Sequence, residues 1–176
     1  LSAFRSAGQR CSALRVLFVQ DDIADKVIAM LAGATRELCL GDPAVLETDV
    51  GPVIDGDAKA MLDGHAERMN HVGKLLCQAE LPKDMDGGYF FAPRAYEIED
   101  LSVLEREVFG PILHVIRFEA DALDAVLDAI NATGYGLTLG IHSRIDSVHG
   151  HVCGSVHAGN AYVNRNMIGA VVGVQP

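Results

Sequence analysis

Long apolar runs are missing from this sequence. None approaches the roughly 18 residues that a membrane-spanning helix needs. The longest, Met167 to Val174, is short and carries two glycines. Basic residues are also scarce, 14 lysines and arginines against 24 acidic residues, for a net charge of −10. An acidic chain without basic clusters repels phosphate backbones, which argues against general nucleic-acid binding. A dinucleotide cofactor is held by local groups, so the charge does not exclude one.

Paired cysteines are lacking as well. Cys11, Cys39, Cys77 and Cys153 are far apart, with no C-x-x-C spacing. Scattered free thiols fit a reducing cytoplasm, which is the expected location. The amino end, from Leu1 to Arg5, has no basic start and no apolar stretch, so it is not read as a signal peptide. It lacks an initiating Met, and both ends read as cut from something longer. There is no P-loop, no G-x-G-x-x-G opening a helix, no Ser–His–Asp pattern, no repeat and no clear linker.

What is present is a chain of 176 residues, 49% hydrophobic and 22% charged, enough for one good core and room for a small second lobe. Leu14 to Val19 is a β-rich run, expected as a buried strand. Asp21 and Asp22 then offer caps for a helix carrying Ile23, Val27, Leu31, Ala34 and Leu38 at helical spacing. Gly41-Asp42-Pro43 breaks it. A second helix is expected from Asp57 to His71, then a short strand from Lys74 to Ala79. Pro82 to Gly88 reads as a turn-rich loop. Strand-like segments follow at Tyr89 to Ile98 and Pro111 to Phe118.

Ala120 to Ala132 reads as a strong helix and Leu137 to His142 as a strand. Asp146 to Val156 is a weaker helix, and Asn160 to Val163 a final strand. Strands alternating with helices imply an α/β fold with a mixed or largely parallel sheet flanked by helices. A single domain spanning 1–176 is expected.

Four constellations have chemical potential. In Gly8-Gln9-Arg10-Cys11-Ser12, after a helix-like Ser2 to Ala7, Cys11 is a candidate nucleophile if its sulfur is partly exposed in a polar setting. Read alone, a cysteine before an apolar strand is more often a small core residue. In Glu105-Arg106-Glu107-Val108-Phe109-Gly110-Pro111, a carboxylate could accept hydrogen bonds from a ribose diol, and Phe109 could pack on a flat ring. A solvated turn with one tucked aromatic is the plainer reading on spacing alone.

The segment Asn164 to Gly173 is either packing or a loop whose free N–H groups bind a carboxylate. His149, Cys153 and His157 would share a helical face, yet two glycines weaken that helix and the spacing matches no familiar zinc pattern. No metal is expected. The remaining histidines, His65, His71, His114 and His142, sit in ordinary periodic segments, where structural roles are expected.

Taken in order, five segments resemble the aldehyde dehydrogenase superfamily. They are Gly8 to Cys11, Asp49-Val50-Gly51-Pro52-Val53-Ile54, Glu107 to Pro111, Asn131 to Ile141 and Gly159 to Asn164. Within it, Ser2 to Arg15 and Tyr162 to Pro176 are similar to the semialdehyde dehydrogenase domain of bacterial proline utilisation A proteins. They are also similar to the stand-alone 1-pyrroline-5-carboxylate dehydrogenases.

The resemblance implies oxidation of L-glutamate 5-semialdehyde to L-glutamate with NAD. Cys11 would be the nucleophile and its backbone N–H an oxyanion donor. Glu107 would hold the nicotinamide ribose and Phe109 would pack beside the nicotinamide. Ser12, Gly169 and Ala170 would hold the substrate's α-carboxylate. The family's oxyanion asparagine, its general-base glutamate and most of its NAD-binding domain lie upstream, outside this sequence, so the chain alone is expected to be inactive.

The implied partners are a small aldehyde and, for the full-length protein, further copies of itself. Two alternatives stay open: another aldehyde dehydrogenase, including the type acylating coenzyme A, or a non-catalytic folding or oligomerisation module with an inert Cys11.

Overall fold

A computed structural model describes residues 1–82 and 87–169. Four strands form the main sheet: β1 (Val16–Gln20), β2 (Lys74–Gln78), β3 (Arg94–Glu97) and β4 (Ile112–Phe118). Their order is β1-β4-β3-β2, with β4 parallel to both β1 and β3 and only β2 antiparallel. The mixed, largely parallel sheet expected from the alternation of elements is therefore present.

Two helices cover it. In α1 (Asp21–Arg36), Ala24 is buried with Leu113, Val115 and Ala95. In α2 (Gly56–Val72), Leu62, Ala66 and Met69 pack with Tyr96, Ile112 and Ile116. The two clusters draw alternate residues of β4, odd numbers toward α1 and even toward α2, because successive side chains point to opposite faces. A strand covered on both faces is buried on both, and β4 is buried at every position from Ile112 to Ile116. Each fully buried aliphatic side chain contributes roughly 1.5–3 kcal/mol.

Helix starts differ in detail from expectation. The cap of α2 is Asp55, whose Oδ1 accepts from the Ala58 N–H at 2.8 Å, so the helix begins one residue before Asp57. Asp21 and Asp22 do not cap α1; they lie inside its first turn. There they complement the helix dipole, and Asp21 pairs with Arg117 of β4 at 3.2 Å. The same guanidinium reaches Asp25 at 2.7 Å and Glu97 at 2.9 Å, tying α1, β3 and β4 together.

The remaining strands are a separate parallel pair, β5 (Thr138–Ile141) with β6 (Asn160–Val163). They pack with α3 (Leu123–Ala132) and α4 (Asp146–Ser155) around Leu127, Ile141 and Val152. So the expected strands divide between two sheets rather than joining one. The weak helix from residue 146 does form, held by the burial of Val152. His157 lies beyond its end, off the face shared by His149 and Cys153, and His149 Nε2 sits 3.0 Å from the Ser143 carbonyl oxygen. The loop expected from Pro82 to Gly88 falls partly outside the described residues. Among the described residues, no helix is long and apolar enough to cross a membrane.

Candidate active site

The segment before Cys11 is not the helix its composition suggests. Arg5–Gly8 is a short 3-10 turn in which Ser6 (φ 56°), Ala7 (φ 53°) and Gly8 (φ 64°) all adopt left-handed backbone. For Ser6 and Ala7 this conformation costs roughly 1–2 kcal/mol each. Strain of that kind persists only where surrounding contacts over-determine it. Here they do: Ala3, Phe4 and Ala7 are buried, Arg10 Nε donates to Ser6 Oγ at 3.0 Å, and the Gln9 N–H donates to the Ser6 carbonyl.

Beyond that turn the chain runs outward. Gln9 Oε1 accepts from the Ile54 N–H at 3.0 Å, fastening the loop to the segment after Gly51-Pro52. A turn closed by the Ala13 N–H on the Arg10 carbonyl then presents Cys11. Its thiol is free and exposed, and its backbone N–H has no hydrogen-bond partner among the described residues. An exposed sulfur beside an uncommitted N–H is what an acyl-transfer centre needs: an attacking atom and a donor for the oxyanion it creates.

The Glu107–Pro111 segment lies against this loop. Arg15, at the foot of β1, makes the connection. Its Nη1 donates to the Gly8 carbonyl at 2.6 Å and the Gly110 carbonyl at 3.2 Å, and its Nη2 to the Arg10 carbonyl at 3.1 Å. Its Nε meets Glu107 Oε1 at 3.2 Å, and the guanidinium stands 4.6 Å over the Phe109 ring. Burial lowers the Arg15 pKa, against the raising influence of Glu107 and Cys11; an arginine so placed still stays charged.

Phe109 keeps 38% of its surface exposed and lines a cleft of about 520 Å³ with Ser6, Gln9 and Ile54. A flat aromatic on an open cleft, with a carboxylate two residues away in sequence, could hold a planar ring and hydroxyl groups beside it. The rest of a dinucleotide would have to be held elsewhere.

The expected carboxylate-binding residues are less fully drawn. Ser12 is 9% exposed, nearly buried beside the thiol. Gly169 is exposed with φ +85°, on a loop whose Met167 N–H donates to Ser2 Oγ at 3.2 Å. Ser2 also accepts the Leu14 N–H on its carbonyl, so it joins that loop to the strand entry just after Cys11. Ala170 lies outside the described residues.

Sequence reading gave no role to Arg15 or Gln9, and it expected structural roles for His65 and His114 without foreseeing that they pair. His65 of α2 and His114 of β4 face each other with their Nε2 atoms 2.9 Å apart, and His114 Nδ1 lies 3.0 Å from the Arg15 carbonyl. The available signal was an arginine opening an otherwise apolar strand: a charge placed there needs partners.

A model of the aldehyde dehydrogenase family matches residues 1–176. The chain belongs to that family. It is 53% identical to the bifunctional protein PutA of Escherichia coli K12, an alignment covering 99% of this chain and 14% of the relative. To the 1-pyrroline-5-carboxylate dehydrogenase of Geobacillus kaustophilus it is 34% identical, over 99% of this chain and 34% of that enzyme.

Among solved structures, a variant of proline utilisation A from Bradyrhizobium japonicum superposes with a TM-score of 0.95 at 57% identity. It covers 99% of this chain and 18% of the other. A Thermus 1-pyrroline-5-carboxylate dehydrogenase with bound NAD gives a TM-score of 0.88 at 32% identity, covering 99% and 33%. The chain thus spans between 14% and 34% of the length of these relatives.

Proposed function

We propose that this chain is part of an aldehyde dehydrogenase catalytic domain that oxidises L-glutamate 5-semialdehyde to L-glutamate, with NAD as the acceptor. The observation that carries the reading is the exposed Cys11, whose N–H has no partner among the described residues, held next to the Glu107–Phe109 segment. Relatives named as proline utilisation and 1-pyrroline-5-carboxylate dehydrogenase proteins support the substrate, and the Thermus structure with bound NAD supports the cofactor.

In this reading the Cys11 thiolate adds to the aldehyde carbon, and the Cys11 N–H donates to the resulting oxyanion. Bound NAD supplies the hydride acceptor. Loss of hydride from the carbon leaves a thioester on Cys11; water then attacks it, expelling the thiolate and releasing the carboxylate. Glu107 would hold the ribose hydroxyls and Phe109 the face of the nicotinamide. Ser12, Gly169 and Ala170 would bind the α-carboxylate, which would favour the amino-acid aldehyde over plain ones. The general base and a second oxyanion donor would come from chain outside these 176 residues, so the chain alone should not turn over.

The test is a chimera in which this chain replaces the matching stretch of the Escherichia coli relative, assayed for semialdehyde-dependent NADH formation. Activity lost in Cys11→Ala and absent in the isolated chain is expected. A chimera whose Cys11→Ala variant keeps its rate would sink the nucleophile assignment. Equal rates on propanal would sink the carboxylate-binding assignment.

A further inference from the structure

Four hydrogen bonds and one ring contact converge on the Arg15 guanidinium, two on one side and three on the other. Two reach carbonyls of the nucleophile loop, Gly8 and Arg10. The others reach the facing segment, at Gly110, Glu107 and the ring of Phe109. The side chain is largely shielded, 16% exposed, so these contacts are only weakly screened. Its main chain is equally fixed, because the Arg15 carbonyl accepts both the His114 N–H at 2.9 Å and the His114 Nδ1–H at 3.0 Å.

We infer, resting on the function proposed above, that Arg15 is a positioning residue that sets the offset between the Cys11 sulfur and the two side chains that would hold the nicotinamide riboside. In this role it acts through those side chains and the loop rather than by touching substrate or cofactor. A planar fork with five N–H donors can hold several fixed acceptors at once, and its face can rest on an aromatic ring; an ammonium cannot do both. The Glu107 contact uses Oε1, so Arg15 orients that carboxylate without occupying both of its oxygens. A displacement of about 1 Å between reacting centres can cost about 10²-fold in rate. Here one side chain spans the contact where such a displacement would arise.

The experiment compares Arg15→Lys and Arg15→Met with the parent, in two arms. In the chimera, both variants should lower kcat on the order of 10²-fold and raise KM for NAD. They should also enlarge the kinetic isotope effect on kcat for substrate deuterated at the aldehyde carbon, since hydride loss then becomes limiting. In the 176-residue chain, hydrogen exchange at amides 6–12 should accelerate about tenfold or more while amides of β3 and β4 keep their protection.

Loss of protection across the whole sheet, or a kcat loss with unchanged isotope effect and unchanged KM for NAD, would reduce Arg15 to a stability role and overturn the inference. Parental kcat in Arg15→Lys would overturn it outright. A parent chimera with no activity would count against the proposed function instead. The exchange arm then still decides: unchanged exchange at 6–12 rejects the role of Arg15, and selective loosening of that loop upholds it.

Discussion

Gly8 and Gly110 meet backbone to backbone. A Cβ built on Gly8 would stand 2.3 Å from the Gly110 carbonyl oxygen, and one built on Gly110 would stand 2.3 Å from Leu62 Cδ2. This stack of loop, loop and helix lets the Arg15 guanidinium reach the Gly8 and Gly110 carbonyls from a single nitrogen. It also brings the strained turn before Cys11 against a residue of the sheet's entry loop.

Gly8→Ala should therefore be severely destabilising. Overpacking a core commonly costs about 1–3 kcal/mol, and here the clash is with backbone while φ is +64°, so the upper end or beyond is expected. Gly110→Ala should be milder, because Leu62 is a side chain with rotamers to try. Urea denaturation of both variants measures this; a Gly8→Ala midpoint near the parent's would show that the close approach does not exist.

Stability should fall as the solution is acidified below neutrality. His65 and His114 are buried, and their pKa values are lowered to about 4, first by burial and then by nearby positive charge, including Arg68 in both cases. Because His114 Nδ1–H donates to the Arg15 carbonyl, its Nε2 accepts from His65 Nε2–H, an arrangement that needs the His114 ring neutral. Unfolded histidines titrate near 6.5. Between about 6.5 and about 4 the unfolded chain binds more protons, so unfolding gains with each step down in pH. Denaturation midpoints from pH 7.5 to 4.5 should show this slope in the parent and a shallower one in His65→Gln. Parallel slopes would refute the assignment.

Two glycines on α4 should be improvable. A Cβ at Gly150 or Gly154 meets nothing within 4 Å, so alanine at either gains helix propensity without a clash. Each replacement should add roughly 0.5–1 kcal/mol. A thermal melt that moves down, rather than up, in Gly150→Ala would mean that this face is covered.

Tyr96 is fully buried, and its hydroxyl is 3.0 Å from Asn70 Oδ1 and 3.3 Å from the Ala66 carbonyl. Tyr96→Phe keeps the ring and deletes the bond between β3 and α2. A loss of about 0.5–1.5 kcal/mol is expected. No change in the denaturation midpoint would mean that the hydroxyl contributes nothing net.

The order of elements was legible because each carried its own signal. The run Leu14 to Val19 and the alternation after Pro111 are local properties, and strands form at Val16–Gln20 and Ile112–Phe118. The turn at Ser6–Gly8 was not legible. Ala and Arg favour helix, and the left-handed path is held by packing around Phe4 and Ala7 and by hydrogen bonds to Ser6. The division into two sheets was likewise hidden, since no strand states in its sequence which other strand it will pair with.

The amino-acid sequence by itself determined the family, the order of strands and helices and the cysteine on which the functional reading turns, because motifs and periodicity are written within short stretches of chain. Tertiary structure alone decided what surrounds that cysteine. Arg15 and Glu107 are 92 positions apart, and His65 and His114 are 49 apart. Such partners meet only when β4 inserts beside β1 and α2 folds over it. A side chain's neighbours across a sheet depend on strand order and register, which periodicity along one strand cannot specify.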